Sequence, residues 1–234
     1  MFCTVCGAQV NPGARFCPTC GAVMGEKPDT PSAPPPPAPE FVAPIGGRVQ
    51  TGKWISTAWT LVTAQIGMFV LATIVLLAVN GVIPVIAQGP MLIGMHIICW
   101  RVLLGGRADV GDLFKGFNFF VPALVASLLI MIFSFLGLFA CIVGALVVAS
   151  IFQFTSLFIV DRKLDFWPAM QASHAVVKQD YFGFVLFLLA LIGINILGAL
   201  ACLVGLLVTI PLHYLAITAA YKDLVGFASP APPQ

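Results

Sequence analysis

Four of the seven cysteines fall in the first 20 residues, as Cys3-x2-Cys6 and Cys17-x2-Cys20, and each pair is followed by a glycine, Gly7 or Gly21. A Cys-x2-Cys turn aims two thiolates at one point, and a glycine after it lets backbone amides turn toward the sulfurs. Two such turns complete a tetrahedral four-sulfur site for zinc. The spacing therefore predicts one zinc ion per chain, held by Cys3, Cys6, Cys17 and Cys20.

A second set of polar side chains lies where charge is missing. Asn80, Gln88, His96, Ser134, Gln153, Asn195, Thr209 and His213 interrupt long apolar stretches. Of these, His96, Gln153 and His213 fall on the second half of three successive stretches, and in a helix bundle they could meet as an intramembrane polar site. Each also has a plainer role as an interhelical hydrogen bond, worth about 0.6 kcal/mol on average in a membrane. Asn80 and Asn195 are expected to cap helix ends near turns. No nucleophile elbow, P-loop, His-Glu-x2-His or Rossmann glycine motif occurs in the chain. No Asp, Glu, Lys or Arg interrupts the apolar stretches, which counts against ion-coupled carriage of a charged substrate. The expectation is a protein that is not an enzyme.

The elements that must position these groups follow from composition. Of 234 residues, 60% are hydrophobic and 9% charged, against roughly 25% charged in a soluble domain. The chain is thus read as an all-α polytopic membrane protein whose first partner is the lipid bilayer. With 11 Lys and Arg against 9 Asp and Glu, it has no broad basic surface, and no nucleic-acid partner is expected.

Charge also divides the chain. No charged residue occurs between Lys53 and Arg101, between Lys115 and Asp161, or between Asp180 and Lys222, gaps of 47, 45 and 41 residues. One transmembrane helix needs about 20 apolar residues, so each gap is about two spans long. Six transmembrane helices in three hairpins follow, at about 54–106, 107–163 and 164–228, with uncharged turns near 80–90, 135–142 and 195–203. A three-span alternative would expose irregular backbone to lipid at several kcal/mol per unsatisfied group. Three hairpins return every Lys and Arg to one face, which the positive-inside rule makes cytoplasmic. Both termini are then cytoplasmic. A reducing cytoplasm disfavours disulfides in the cysteine module.

The second and third gaps share sequence. Residues 136–147 lie over 197–208 at an offset of 61 with eight of twelve positions identical. The first gap agrees more loosely: Pro90 and Pro211 each precede a basic residue by eleven, and Gly105 and Gly226 each follow it by four. A repeated hairpin is the reading. Ala140-x3-Gly144 and Ala201-x3-Gly205 would allow close helix approach. Cys141 and Cys202 hold equivalent positions, which need not touch. Short interfacial helices are expected before each hairpin. In the first, Trp54, Ile55, Ala58, Trp59 and Val62 share a face. In 109–118, Val110, Leu113, Phe114 and Phe117 oppose Asp109, Asp112 and Lys115. The third starts at Asp165 and Pro168 and runs over 169–178.

Residues 1–25 form the cysteine module and 26–47 a linker with eight prolines between Pro28 and Pro44, a polyproline spacer. The membrane domain covers 48–228, and 229–234 is expected to be a disordered tail. Residues 2–22 resemble the short zinc-ribbon domain at the amino terminus of many bacterial proteins, in which the four cysteines bind metal. The resemblance implies structural zinc on Cys3, Cys6, Cys17 and Cys20. With Arg15 the one basic residue in the module, contact with a protein partner is expected rather than with nucleic acid. From Gly46 onward the pattern, including Asp112-Leu113-Phe114-Lys115-Gly116-Phe117 and Tyr221-Lys222-Asp223-Leu224, is similar to six-helix bacterial membrane families. Among them is the membrane domain beside some glycerophosphodiester phosphodiesterases, whose hydrolase domain this sequence lacks. The leading expectation is a ribbon that mediates contact or sensing for a membrane bundle. The alternative is a transporter or channel for a neutral or lipid-like substrate.

Overall fold

The computed structural model describes residues 2, 3, 5–9, 11, 16–22, 48–140, 142–201 and 204–232, with the side chains of 138–140, 142 and 143 excepted. The Pro-rich linker, Cys141, Cys202 and the last two tail residues lie outside the described residues. The chain divides into two compact units, Met1–Glu40 and Phe41–Gln234.

The first unit consists of two matching knuckles. Gly7 N donates to Cys3 O and Gly21 N to Cys17 O, both at 2.9 Å; Cys3 N donates to Ala8 O and Cys17 N to Ala22 O, both at 2.8 Å. Each knuckle closes through a left-handed glycine, Gly7 at φ 73° and Gly21 at φ 70°, a conformation that costs other residues roughly 1–2 kcal/mol. An antiparallel bridge joins Phe2 and Gln9.

The second unit is helical: α1 Thr51–Ala64, α2 Ile66–Val82, α3 Pro84–Leu103, α4 Gly111–Phe114, a 3-10 turn Lys115–Phe119, α5 Phe120–Ala140, α6 Ile142–Phe152, α7 Thr155–Arg162, α8 Phe166–Val177, α9 Tyr181–Leu200 and α10 Leu206–Leu224. Consecutive helices pack on one another, α2 on α3, α5 on α6 and α9 on α10. Reversal after α2 takes one residue, Ile83, because Pro84 starts α3 where its missing N–H costs nothing. At the other two reversals, glycines set the distance. A Cβ on Gly144 would strike the Gly137 carbonyl, and one on Gly205 would strike the Gly198 carbonyl. Gly144 and Gly205, the glycines of the two expected small-residue spacings, thus pack on Gly137 and Gly198.

Among the described residues, four segments are long and apolar enough to cross a membrane: Pro84–Leu103, Gly111–Gly137, Gly144–Arg162 and Tyr181–Leu200. The bent pair Thr51–Ala64 and Ile66–Val82, at 96°, gives a fifth if taken as one broken span. Two of the six expected segments fall short for local reasons. Helix α2 has 17 residues, about 25 Å at 1.5 Å each, and α10 is diluted by His213, Tyr214, Lys222 and Asp223. The outer faces carry exposed Leu71, Ile74, Leu128, Met131, Phe135 and Leu186, apolar surface that lipid accepts and water does not. Helix α3 is the axis of the unit, packed against α2, α5, α7 and α10.

The expected interfacial faces are partly redrawn. In α1, Trp54, Ala58 and Val62 are buried, against α10, but Trp59 is exposed. In 109–118, Asp112 turns inward instead of outward. It is 2% exposed and lies 2.7 Å from Arg101 Nη1 and 2.9 Å from Lys115 Nζ. The segment can press on α3 because Gly94 faces the Leu113 carbonyl and Gly116 faces the Pro90 carbonyl, each without room for a Cβ. Helix α8 runs over Phe166–Val177 with Asp165 as its N-cap, at the expected start. The tail residues Ser229, Ala231 and Pro232 border a hollow with Trp100 and Asp161.

The residues flanking the charge-free gaps meet. Lys53 Nζ lies 2.8 Å from Asp223 Oδ1, Lys222 Nζ donates to Leu103 O at 3.1 Å, and Asp161 accepts from Tyr221 Oη and Ala228 N, both at 2.8 Å. Gln65, at the α1–α2 bend, holds the loop after α3 by donating to Gly106 O and accepting from Ala108 N.

Candidate metal centre and membrane cavity

The four cysteine sulfurs of the first unit lie within 4.8 Å of one another. Cys3 Sγ is 3.7 Å from Cys20 Sγ, and Cys6 Sγ is 3.6 Å from Cys17 Sγ. Zinc–sulfur bonds of about 2.3 Å in a regular tetrahedron put sulfurs about 3.8 Å apart, close to both of these distances, so the set suits one zinc ion. The predicted ligands Cys3, Cys6, Cys17 and Cys20 are all brought together. Cys3 and Cys17 are buried and Cys6 and Cys20 exposed.

The knuckles also prepare the thiolates. The amides of Thr19 and Cys20, turned toward Cys17 Sγ, hold its thiol down at about 6, and those of Cys6 and Val5 lower Cys3. Cys20 gains from the Ala22 amide, yet the neighbouring sulfurs push it up to about 12. Four thiolates do not share this space without a cation to neutralise them.

In the second unit, His96, Gln153 and His213 border one cavity of about 380 Å³, between α3, α5, α6, α7, α9 and α10. The three share that lining, and no hydrogen bond joins any two of them among the described residues. His96 Nδ1 lies 2.9 Å from Thr218 Oγ1, whose own proton goes to Tyr214 O at 2.7 Å. Thr218 therefore accepts from His96, which fixes the proton on Nδ1 and leaves Nε2 as an acceptor. His213 Nδ1 is 3.2 Å from Asn195 Nδ2, on α9. Asn195 and Asn80 do not cap helix ends; each donates to the carbonyl four residues earlier, Leu191 and Leu76.

Gln153 differs from both histidines. It sits in the break between α6 and α7, and neither amide atom has a hydrogen-bond partner among the described residues. Thr155 Oγ1, on the same lining and also without a partner, was not singled out by the sequence, which gives no sign that a helix breaks there.

Residues 2–24 match the family of zinc-ribbon domains. The chain is also similar to uncharacterised proteins of Mycobacterium bovis and of two strains of Mycobacterium tuberculosis, at 31% identity over 140 residues. Those matches cover 58% of this chain and 43% of each relative, so the chain spans less than half the length of the relatives it matches. No solved structure matches it. None of these matches bears on the likeness to membrane domains beside glycerophosphodiester phosphodiesterases.

Proposed function

We propose that this chain is a non-enzymatic protein of the bacterial cytoplasmic membrane, built on six spans in three related hairpins, whose cytoplasmic zinc ribbon is a contact module for another protein. The observation that carries the ribbon's role is its surface. Phe2, Val5 and Phe16 are 67%, 75% and 61% exposed, on a module whose buried cluster, among the described residues, is Cys3 and Cys17 with Ala8 and Ala22 against them. Large apolar side chains held outward by a metal-fixed scaffold suit a protein interface better than water.

The six-span reading rests on three supports. The residues flanking the charge-free gaps gather through Lys53–Asp223, Lys222–Leu103 and Asp161–Ala228. The glycine pairs Gly137–Gly144 and Gly198–Gly205 sit at the same offset of 61 as the repeated sequence. Helices α3 and α10 each contain a proline and end before a left-handed glycine, Gly105 at φ 84° and Gly226 at φ 74°. Two units with a common ancestor would share such details.

Crosslinking in native membranes tests the ribbon. A partner captured by the parent chain is lost from a variant with Phe2→Ser and Phe16→Ser that keeps its zinc. Undiminished capture by that variant removes the proposed interface.

A second reading is favoured by the cavity, whose polar lining and apolar bulk suit passage or storage of a neutral, lipid-like molecule. Reconstituted vesicles that fail to move any uncharged lipid between leaflets faster than protein-free vesicles would count against transport.

A further inference from the structure

The two histidines of the cavity each spend one ring nitrogen on a protein partner, whereas the polar side-chain atoms at the α6–α7 break have none. The reason lies in local backbone chemistry. Thr57, Thr60, Thr63, Thr73 and Thr218 each donate to the carbonyl four residues earlier, the ordinary resting place of a helical threonine hydroxyl. For Thr155 that carbonyl belongs to Ile151, and it is taken at 2.6 Å by Ser173 Oγ from α8. The same Ser173 oxygen accepts from the Phe154 amide at 3.3 Å. One serine therefore satisfies backbone groups on both sides of the break, and Thr155 makes no bond to the Ile151 carbonyl.

The consequence is a cluster of free hydrogen-bonding capacity on one wall: Gln153 Nε2 as donor, Gln153 Oε1 as acceptor, and Thr155 Oγ1 as either. Thr155 is 1% exposed, and an unpaired buried hydroxyl or amide is costly. Across the cavity stand apolar Ile93, Ala126, Ile130, Leu188 and Ile217, and no Asp, Glu, Lys or Arg borders it. An ionised ligand would have no counter-charge there.

We infer that Gln153 and Thr155 bind the polar end of an uncharged amphiphile that carries both a hydroxyl and a carbonyl, of the monoacylglycerol class, with its acyl chain along the apolar wall. This names the ligand of the second reading above and rests on it for the cavity's use, though not for movement across the membrane. The carbonyl oxygen of the ester accepts from Gln153 Nε2. Ligand hydroxyls donate to Gln153 Oε1 and exchange a hydrogen bond with Thr155. At about 380 Å³, near the low end of the roughly 300–1,000 Å³ of small-molecule sites, the cavity takes a glycerol ester and part of one chain, not a two-chain lipid.

Equilibrium binding of radiolabelled 1-monolauroylglycerol to the full chain in nanodiscs tests this. Saturable binding of one molecule per chain is expected. Gln153→Leu combined with Thr155→Val weakens it about tenfold, the loss expected for a few neutral hydrogen bonds, while Thr155→Ser, which keeps the hydroxyl, binds like the parent. Without ligand the double variant melts at or above the parent's temperature, since the atoms removed have no protein partner. A lowered melting temperature together with unchanged binding assigns the pair a structural role and overturns the inference. So does an absence of saturable binding, or equal competition by lysophosphatidate of the same chain length. Saturable binding in vesicles that show no movement between leaflets would leave this site standing and remove only transport.

Discussion

Ser173 Oγ on α8 lies 2.6 Å from the carbonyl oxygen of Ile151, one residue before the end of α6. With its acceptance from the Phe154 amide, it satisfies backbone groups freed where the helix breaks, and side-chain insertion of this kind is a recognised cause of kinks. Ser173 is fully buried. Ser173→Ala leaves a carbonyl and an amide without partners in an apolar setting, and is expected to cost about 1–3 kcal/mol, more than the roughly 0.6 kcal/mol of an average side-chain pair in a membrane protein. Thermal unfolding in detergent reads the loss. A parent-like transition would mean that the break is held by something else.

Asp223 has two partners of unequal importance. Lys53 Nζ is exposed, whereas Trp54 Nε1, 3.1 Å from Asp223 Oδ2, belongs to a buried indole packed against Phe184 and Phe187. Lys53→Ala removes a surface pair worth about 0–1 kcal/mol. Asp223→Ala also orphans the indole N–H, for a further cost of about 1–2 kcal/mol. The aspartate variant should therefore unfold at clearly lower temperature than the lysine variant. Equal losses would show that the indole does not depend on Asp223.

The metal ligands were legible because a four-cysteine site is specified by spacing alone; Cys3, Cys6, Cys17 and Cys20 need no tertiary information to be identified. The first turn was readable only as a range, 80–90, from the length of a span; the structure puts it at Ile83, before Pro84. The break after Phe152 was not readable. Neither Gln153 nor Phe154 is a helix breaker, and the serine that satisfies backbone groups at the break comes from 20 residues further on, in another helix. Asp112 was misassigned for a related reason: periodicity sends a lone carboxylate to water, but Arg101 and Lys115 together compensate its charge, a tertiary effect invisible to a helical wheel. Gln65 gave no local sign that it would tie down the loop of Gly106 and Ala108.

Topology follows from the gathering of charge. Reporter fusions after Pro44 and at Gln234 should both signal cytoplasm, and insertions at Ile83 or between Leu200 and Leu206 should signal the opposite side. Fusions after Pro44 and at Gln234 that report opposite sides would mean an odd number of spans, and the hairpin model would fall.

Zinc binding carries a proton signature. With its thiol held near 6 by the amides of Thr19 and Cys20, Cys17 is already a thiolate at pH 7 and gives up almost no proton to the metal. Cys3, lowered in the same way, releases less than an ordinary thiol, whereas Cys20, pushed up to about 12, must lose a full proton. Titration calorimetry at pH 7 in buffers of different ionisation enthalpy should thus show one zinc per chain and fewer than four protons released. Affinity should rise with pH, most steeply below about 6, where Cys17 too must give up a proton to bind. Cys17→Ser should abolish binding while membrane insertion is kept, since the ribbon and the helices are separate compact units. Release of four protons would show that the amide-donating knuckles do not exist before the metal arrives, and zinc retained without these cysteines would put the site elsewhere.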